Sequence, residues 1–237
     1  MEDTEGSFLN YEADGWYSLA RIEDWFGNND LAENHYRKAY ALFEEVFVDE
    51  FDLIYLSFLK DFSTFLAENN AEKEAIDTAM EAYTYVKNNL GTSNLITFEQ
   101  ELNIGEMYLV LAKNNEAIHW SKVALKTLDH QLSQTSSLLD SLQNERHKPQ
   151  AILLNTKSRF LARANPSVED LKELVKELED GLKVIERRKT FLDSEEDRTL
   201  LITENAAYFE FLEQLYLQLY KKSPQQEFLA RLLILNE

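Results

Sequence analysis

Four histidines and 43 carboxylates are the groups in this 237-residue chain that could do acid–base or metal chemistry. Glu116 and His119 form a Glu-x-x-His pair, half of the signature with which helix bundles hold two metal ions. Such a site needs a second pair and two more carboxylates. His35, His130 and His147 have no Glu three residues before them. The chain has no Cys, so thiolate nucleophiles, thiolate metal sites and disulfides are excluded within it. It also has no Gly-x-Ser-x-Gly and no Gly-rich phosphate loop. We expect no catalytic residue, no metal and no cofactor. A bundle metalloenzyme is the competing expectation, and it requires stoichiometric metal.

Composition limits the partners. The formal net charge is −19, which repels phosphate backbones and anionic lipid. We expect no nucleic acid and no membrane, and a protein or peptide as partner. No apolar stretch is long enough to span a bilayer. MEDTEGSFLN has no basic segment ahead of an apolar core, so it does not read as a signal peptide. A cytoplasmic protein is the expectation.

The elements are helices. Only 6 Gly and 3 Pro punctuate the chain, and Ala, Leu, Glu and Lys dominate. Residues 1–10 read as a disordered acidic segment. Four antiparallel helix pairs then follow over about 11–48, 51–89, 94–130 and 149–190. In the first, Trp16, Leu19 and Ala20 answer Ala32, Tyr36 and Ala39 across a turn holding Gly27, Asn28 and Asn29. Large residues alternate with small ones, so two helices can approach closely. Asn69-Asn70 and the loop Lys113-Asn114-Asn115 mark the next two turns. Gly105 lies in mid-helix, where close packing is the physical reason to place it. The segment 131–147 reads as an extension of the preceding helix and then a loop. Pro149 opens the next helix, and Ser167 with Asp170 caps the one after it. Residues 194–237 carry C-terminal helices, the first a single long one from Ser194 to Ser223. The chain stops on the apolar run LARLLILNE, and we expect a domain to follow it.

Trp16, Leu19, Ala20, Gly27, Ala32, Tyr36 and Ala39 match the order of a tetratricopeptide (TPR) repeat, with one departure at Glu23. Ala32, Ala75 and Ala117 stand 43 and 42 residues apart, longer than the 34 of the short form. That spacing resembles the kinesin-light-chain-like subgroup. The resemblance implies an all-α fold, a right-handed superhelix of antiparallel helix pairs whose first helices line a groove. In that register the groove candidates are Tyr17, Arg21, Lys60, Thr64, Asn103, Glu106, Arg159 and Arg163. The cations among them would favour an acidic side chain or a C-terminal carboxylate, and ion pairs within the chain compete for the same groups.

Glu186, Arg187, Arg188, Ser194, Glu195, Glu196, Asp197 and Arg198, ahead of an aromatic-rich helix, resemble the segment before the caspase-like domain of bacterial CHAT proteins. That resemblance implies a non-catalytic scaffold whose protease-like domain lies downstream. The alternative is a stand-alone peptide-sensing regulator.

Overall fold

The computed structural model describes residues 3–46, 51–134 and 137–235. Every regular element among them is a helix. The chain divides into two compact units, Met1–Gly91 and Thr92–Glu237.

The first unit holds α1 (Asp3–Trp25), α2 (Asn29–Val46), α3 (Leu53–Glu68) and α4 (Glu72–Leu90). The helix begins at Asp3, so the disorder expected of residues 1–10 does not describe 3–10. Half-buried Leu9 and buried Ala13, Tyr17 and Ala20 form one stripe, which carries the helix upstream. The expected end at Val48 and the break at Asp49-Glu50 lie outside the described residues. The small residues behave as the spacing predicts. Ala32, Ala39, Ala75, Ala79 and Ala82 are fully buried. Between them the gaps fill with Tyr36, Phe43, Phe58, Phe62 and Phe65.

The turns inside the first three pairs are one motif. The amide of Asn28 bonds the carbonyl of Glu23, and Gly27 bonds Asp24. Ala71 bonds Leu66 and Asn70 bonds Ala67; Lys113 bonds Tyr108 and Ala112 bonds Leu109. Each is a Schellman cap with a left-handed residue at its hinge: Gly27 (φ 75°), Asn70 (φ 64°) and Ala112 (φ 56°). The hinges share the 43- and 42-residue spacing of the alanines. Of the expected third loop at Lys113-Asn114-Asn115, Lys113 lies between the helices, and the turn is displaced from Asn114 and Asn115. Those residues open the following helix, and Ala112 takes the hinge, a conformation that costs an L-residue about 1 kcal/mol.

The second unit holds α5 (Leu95–Val110), α6 (Asn114–Gln134), α7 (Leu138–Glu145), α8 (Lys148–Leu161), α9 (Val168–Thr190), α10 (Glu195–Glu204), α11 (Ala206–Lys222) and α12 (Gln226–Leu235). Gly105 sits where an added Cβ would lie 2.8 Å from Leu154 Cδ2 and 3.4 Å from Trp120 Cβ, so α5, α6 and α8 meet closely there. Buried Asn155 on α8 donates to Ser121 Oγ on α6 at 2.8 Å. Ser167 and Asp170 form the expected capping box on α9.

Two expectations change. The loop expected before 148 contains α7, capped by Ser137. The long helix expected from Ser194 breaks at Asn205 into α10 and α11. The Asn205 side chain donates to the Leu201 carbonyl, and its own carbonyl accepts from Tyr208 and Phe209, which ends one helix and starts the next. The break seats Tyr208, Phe211, Leu212, Leu215 and Leu219 in a core with Leu171, Leu174, Leu178 and Ile185 of α9.

Candidate functional site

In the first unit, α1 and α3 bring three charged or polar groups to one point. Tyr17 is buried, and its hydroxyl donates to Asp61 Oδ2 at 2.6 Å. Arg21 Nε lies 3.3 Å from the same oxygen, with its guanidinium 5.6 Å from the Tyr17 ring centroid. Burial first, and then the bond to Asp61, push the Tyr17 phenol far above its ordinary value, so it remains a neutral donor. Asp24 is raised by burial and by the charge of Asp61. Tyr17 thus holds Asp61 in place and does not face a groove. Arg21, Lys60 and Thr64 are exposed, and Thr64 Oγ1 donates to the Lys60 carbonyl at 3.0 Å.

In the second unit the candidates are engaged within the fold. Arg159 reaches from α8 to α9, with Nη1 2.6 Å from Glu177 and Nη2 2.7 Å from Glu173. Burial would lower this guanidinium, but its bonds to the two carboxylates raise it. Arg163 Nε lies 3.3 Å from Asp170. Glu106 accepts from Gln150 Nε2 at 3.1 Å. Asn103 is buried, and its Nδ2 has no partner among the described residues. The expected groove set divides between the two units, with Tyr17, Arg21, Lys60 and Thr64 in the first and Asn103, Glu106, Arg159 and Arg163 in the second. Helix crossings bring acidic side chains to the arginines, and Asn103 lies under the surface.

Glu101, on α5, is 2% exposed and its Oε2 has no partner among the described residues. Burial pushes its carboxyl above the usual 4.5, against a lowering bond from Thr127. The folded state therefore holds this proton more tightly than the unfolded one. Stability falls as pH rises from about 4.5 through the raised value. Glu101→Gln should stabilise the protein at pH 7 by about 1 kcal/mol and flatten that slope. Urea midpoints at pH 4, 5.5 and 7 test this; an unchanged slope would count against it.

A cleft of about 480 Å³ lies among α9, α10, α11 and α12. The sequence reading missed it, because it forms where the chain breaks at Asn205 and α12 folds back. Leu182, Leu201, Phe209 and Leu212 make its floor. Its rim carries Glu186, Glu210 and Glu213 against Lys189. Arg231, also on the rim, lies 3.6 Å from Glu179, which accepts the Tyr216 hydroxyl.

Among the described residues no three His, Cys, Asp or Glu could hold a metal ion. Glu116 and His119 are both exposed on α6. No described helix is long and apolar enough to cross a membrane. Several of the residues behind the CHAT resemblance bond within the fold. Ser194 caps Asp197, Arg198 Nε donates to the Leu192 carbonyl at 3.0 Å, and Arg187 pairs with Glu145 at 2.8 Å.

No protein-family model matches the chain, and no curated protein matches it. Solved structures do. The nearly identical TPR-like repeats of a kinesin-light-chain-type protein from Podosopora anserina superpose with a TM-score of 0.58 at 15% identity, over 95% of each chain. A variant of those repeats gives a TM-score of 0.58 at 15% identity, over 94% of each chain. At that identity the likeness is one of fold, and by fold this chain is an all-α protein of TPR-like helix-pair repeats.

Proposed function

We propose that this protein is a non-catalytic interaction scaffold that takes a peptide in the cleft among α9–α12. The cleft itself carries the reading. A concave apolar floor seats large side chains, and a rim with more Glu than Lys favours a Lys or Arg beside them. TPR-like repeats are in general protein-binding folds, which supports the same class of partner. The charge of −19 supports a partner other than nucleic acid or membrane.

Panning a phage-displayed peptide library against the whole chain tests this. The enriched peptides should share one or two large apolar residues beside Lys or Arg. They should bind Glu210→Lys/Glu213→Lys at least tenfold more weakly. No enrichment, or equal binding by the variant, would overturn the reading.

A second surface is supported by the exposure of Lys60 and Thr64 on α3, where Lys60 suits an acidic side chain. A caspase-like CHAT effector downstream is supported by the resemblance at residues 186–198 alone. The reading frame beyond codon 237 tests it, and a stop codon there favours the stand-alone regulator.

A further inference from the structure

The outer face of α1 is apolar and uncovered. Phe8, Tyr11, Leu19, Ile22 and Phe26 fall within about 80° of one another at 100° per residue, and Trp25 borders them. Phe8 is 75% exposed, Tyr11 77%, Trp25 82% and Phe26 66%, with Leu19 and Ile22 at 42% and 49%. Four aromatics exposed to this degree present roughly 600 Å², at the upper end of the largest patch on an ordinary monomer. Adding Leu19 and Ile22 approaches the ~800 Å² that one partner contributes to a standard interface. Gly15 lies in the middle of the stripe. No heavy atom lies within 4 Å of a Cβ built there, so another helix has room to cross closely.

The charges choose the occupant. Glu12 and Glu23 edge the stripe on one side and Asp14 on the other. The cations nearby are engaged elsewhere: Arg21 with Asp61, and Lys38 over the Trp16 ring at 4.1 Å. A second copy of the chain would set acidic edges against acidic edges, on molecules of charge −19 each. We propose that this face docks an amphipathic helix of another protein, apolar on one side and flanked by Lys or Arg. It would stack on α1 as a second helix of a repeat stacks on the next first helix. The site is separate from the α9–α12 cleft and does not rest on that reading.

The probe is a synthetic 25-residue helix with a Leu/Ala stripe and Lys flanks, set beside its Glu-flanked counterpart. At about 0.15 M salt, where long-range attraction is screened, the Lys-flanked helix should bind the full chain and the Glu-flanked one should not. Amide exchange should slow within residues 8–26. The decisive variant is Ile22→Asp/Phe26→Asp, at two exposed positions that leave the helical spectrum unchanged. It makes the protein more acidic, so simple charge attraction would strengthen binding, whereas loss of the apolar face should weaken it at least tenfold. Equal or tighter binding by the variant, or protection elsewhere, would overturn the proposal. So would a dimer in sedimentation that the variant dissolves, because the occupant would then be a second copy.

Discussion

Gly181→Ala should destabilise the protein by about 3 kcal/mol, although alanine is the better helix former. Gly181 lies in α9 beneath Tyr208 of α11. A Cβ there would fall within the Tyr208 hydroxyl, 3.0 Å from Cζ and 3.2 Å from Ile152 Cδ1. Tyr208 is 2% exposed and its hydroxyl donates to the Leu178 carbonyl, so the ring cannot move aside without losing a buried bond. Relieving the overlap means shifting α11 against α9 or rotating the tyrosine. Overpacking costs about 1–3 kcal/mol and the lost bond about as much, against roughly 1 kcal/mol regained in helix propensity. A double-mutant cycle with Tyr208→Phe tests the cause. Removing the hydroxyl clears most of the overlap, so the penalty for alanine should fall by more than half. Additive effects in denaturant would mean the two residues do not compete for this space.

Part of this packing was legible in the sequence: Gly105 in mid-helix announced a close approach, and the structure places Leu154 and Trp120 there. Other features were written just as locally. Ser167 with Asp170 marked a capping box, and the alanines at 43- and 42-residue spacing marked the repeat. Where a feature depends on crossing angles, the one-dimensional pattern is silent. Arg159 and Arg163 read as groove cations because their own helix says nothing of Glu173, Glu177 and Asp170 on the next. Ala112 carries no turn signal, since its left-handed backbone is imposed by the same cap that Gly27 and Asn70 adopt without objection. Asn205 follows a helix-forming stretch and precedes two alanines, so nothing nearby predicted the break. The cleft that depends on that break was invisible for the same reason.

The two units use different means to fill their interiors, and this sets where damage would be greatest. In the second unit leucines predominate around buried Tyr208, Phe211, Tyr216 and Phe228, and a smaller cluster surrounds Phe98. The first unit sets many buried aromatic rings among its alanines and leucines, and the rings centre on Phe58. That ring is fully buried. Phe43 lies 4.9 Å away, Tyr17 5.5 Å edge-on, Phe62 5.6 Å and Tyr40 6.1 Å. Aromatic pairs in these geometries add about 0.5–1.5 kcal/mol beyond the area they bury, and stiff rings close a cavity poorly.

Phe58→Ala should therefore cost about 4 kcal/mol, at the upper part of the range for such truncations. Phe58→Leu keeps most of the volume and should cost about half as much. The larger loss should also reach the polar point above it. Tyr17 packs against Phe58 and presents its hydroxyl to Asp61, which in turn meets Arg21. With the ring gone, Tyr17 can tilt into the void, and the bond that places Asp61 lengthens. Tyrosine absorbance during a pH titration should report this. In the native protein, burial and Asp61 hold the Tyr17 phenol far above its ordinary value, so its ionisation awaits unfolding. In a still-folded Phe58→Ala protein, one more tyrosine should ionise at lower pH. A loss below about 1 kcal/mol with an unchanged tyrosine titration would show that the surrounding rings collapse onto the space and that Phe58 is not the centre of this core.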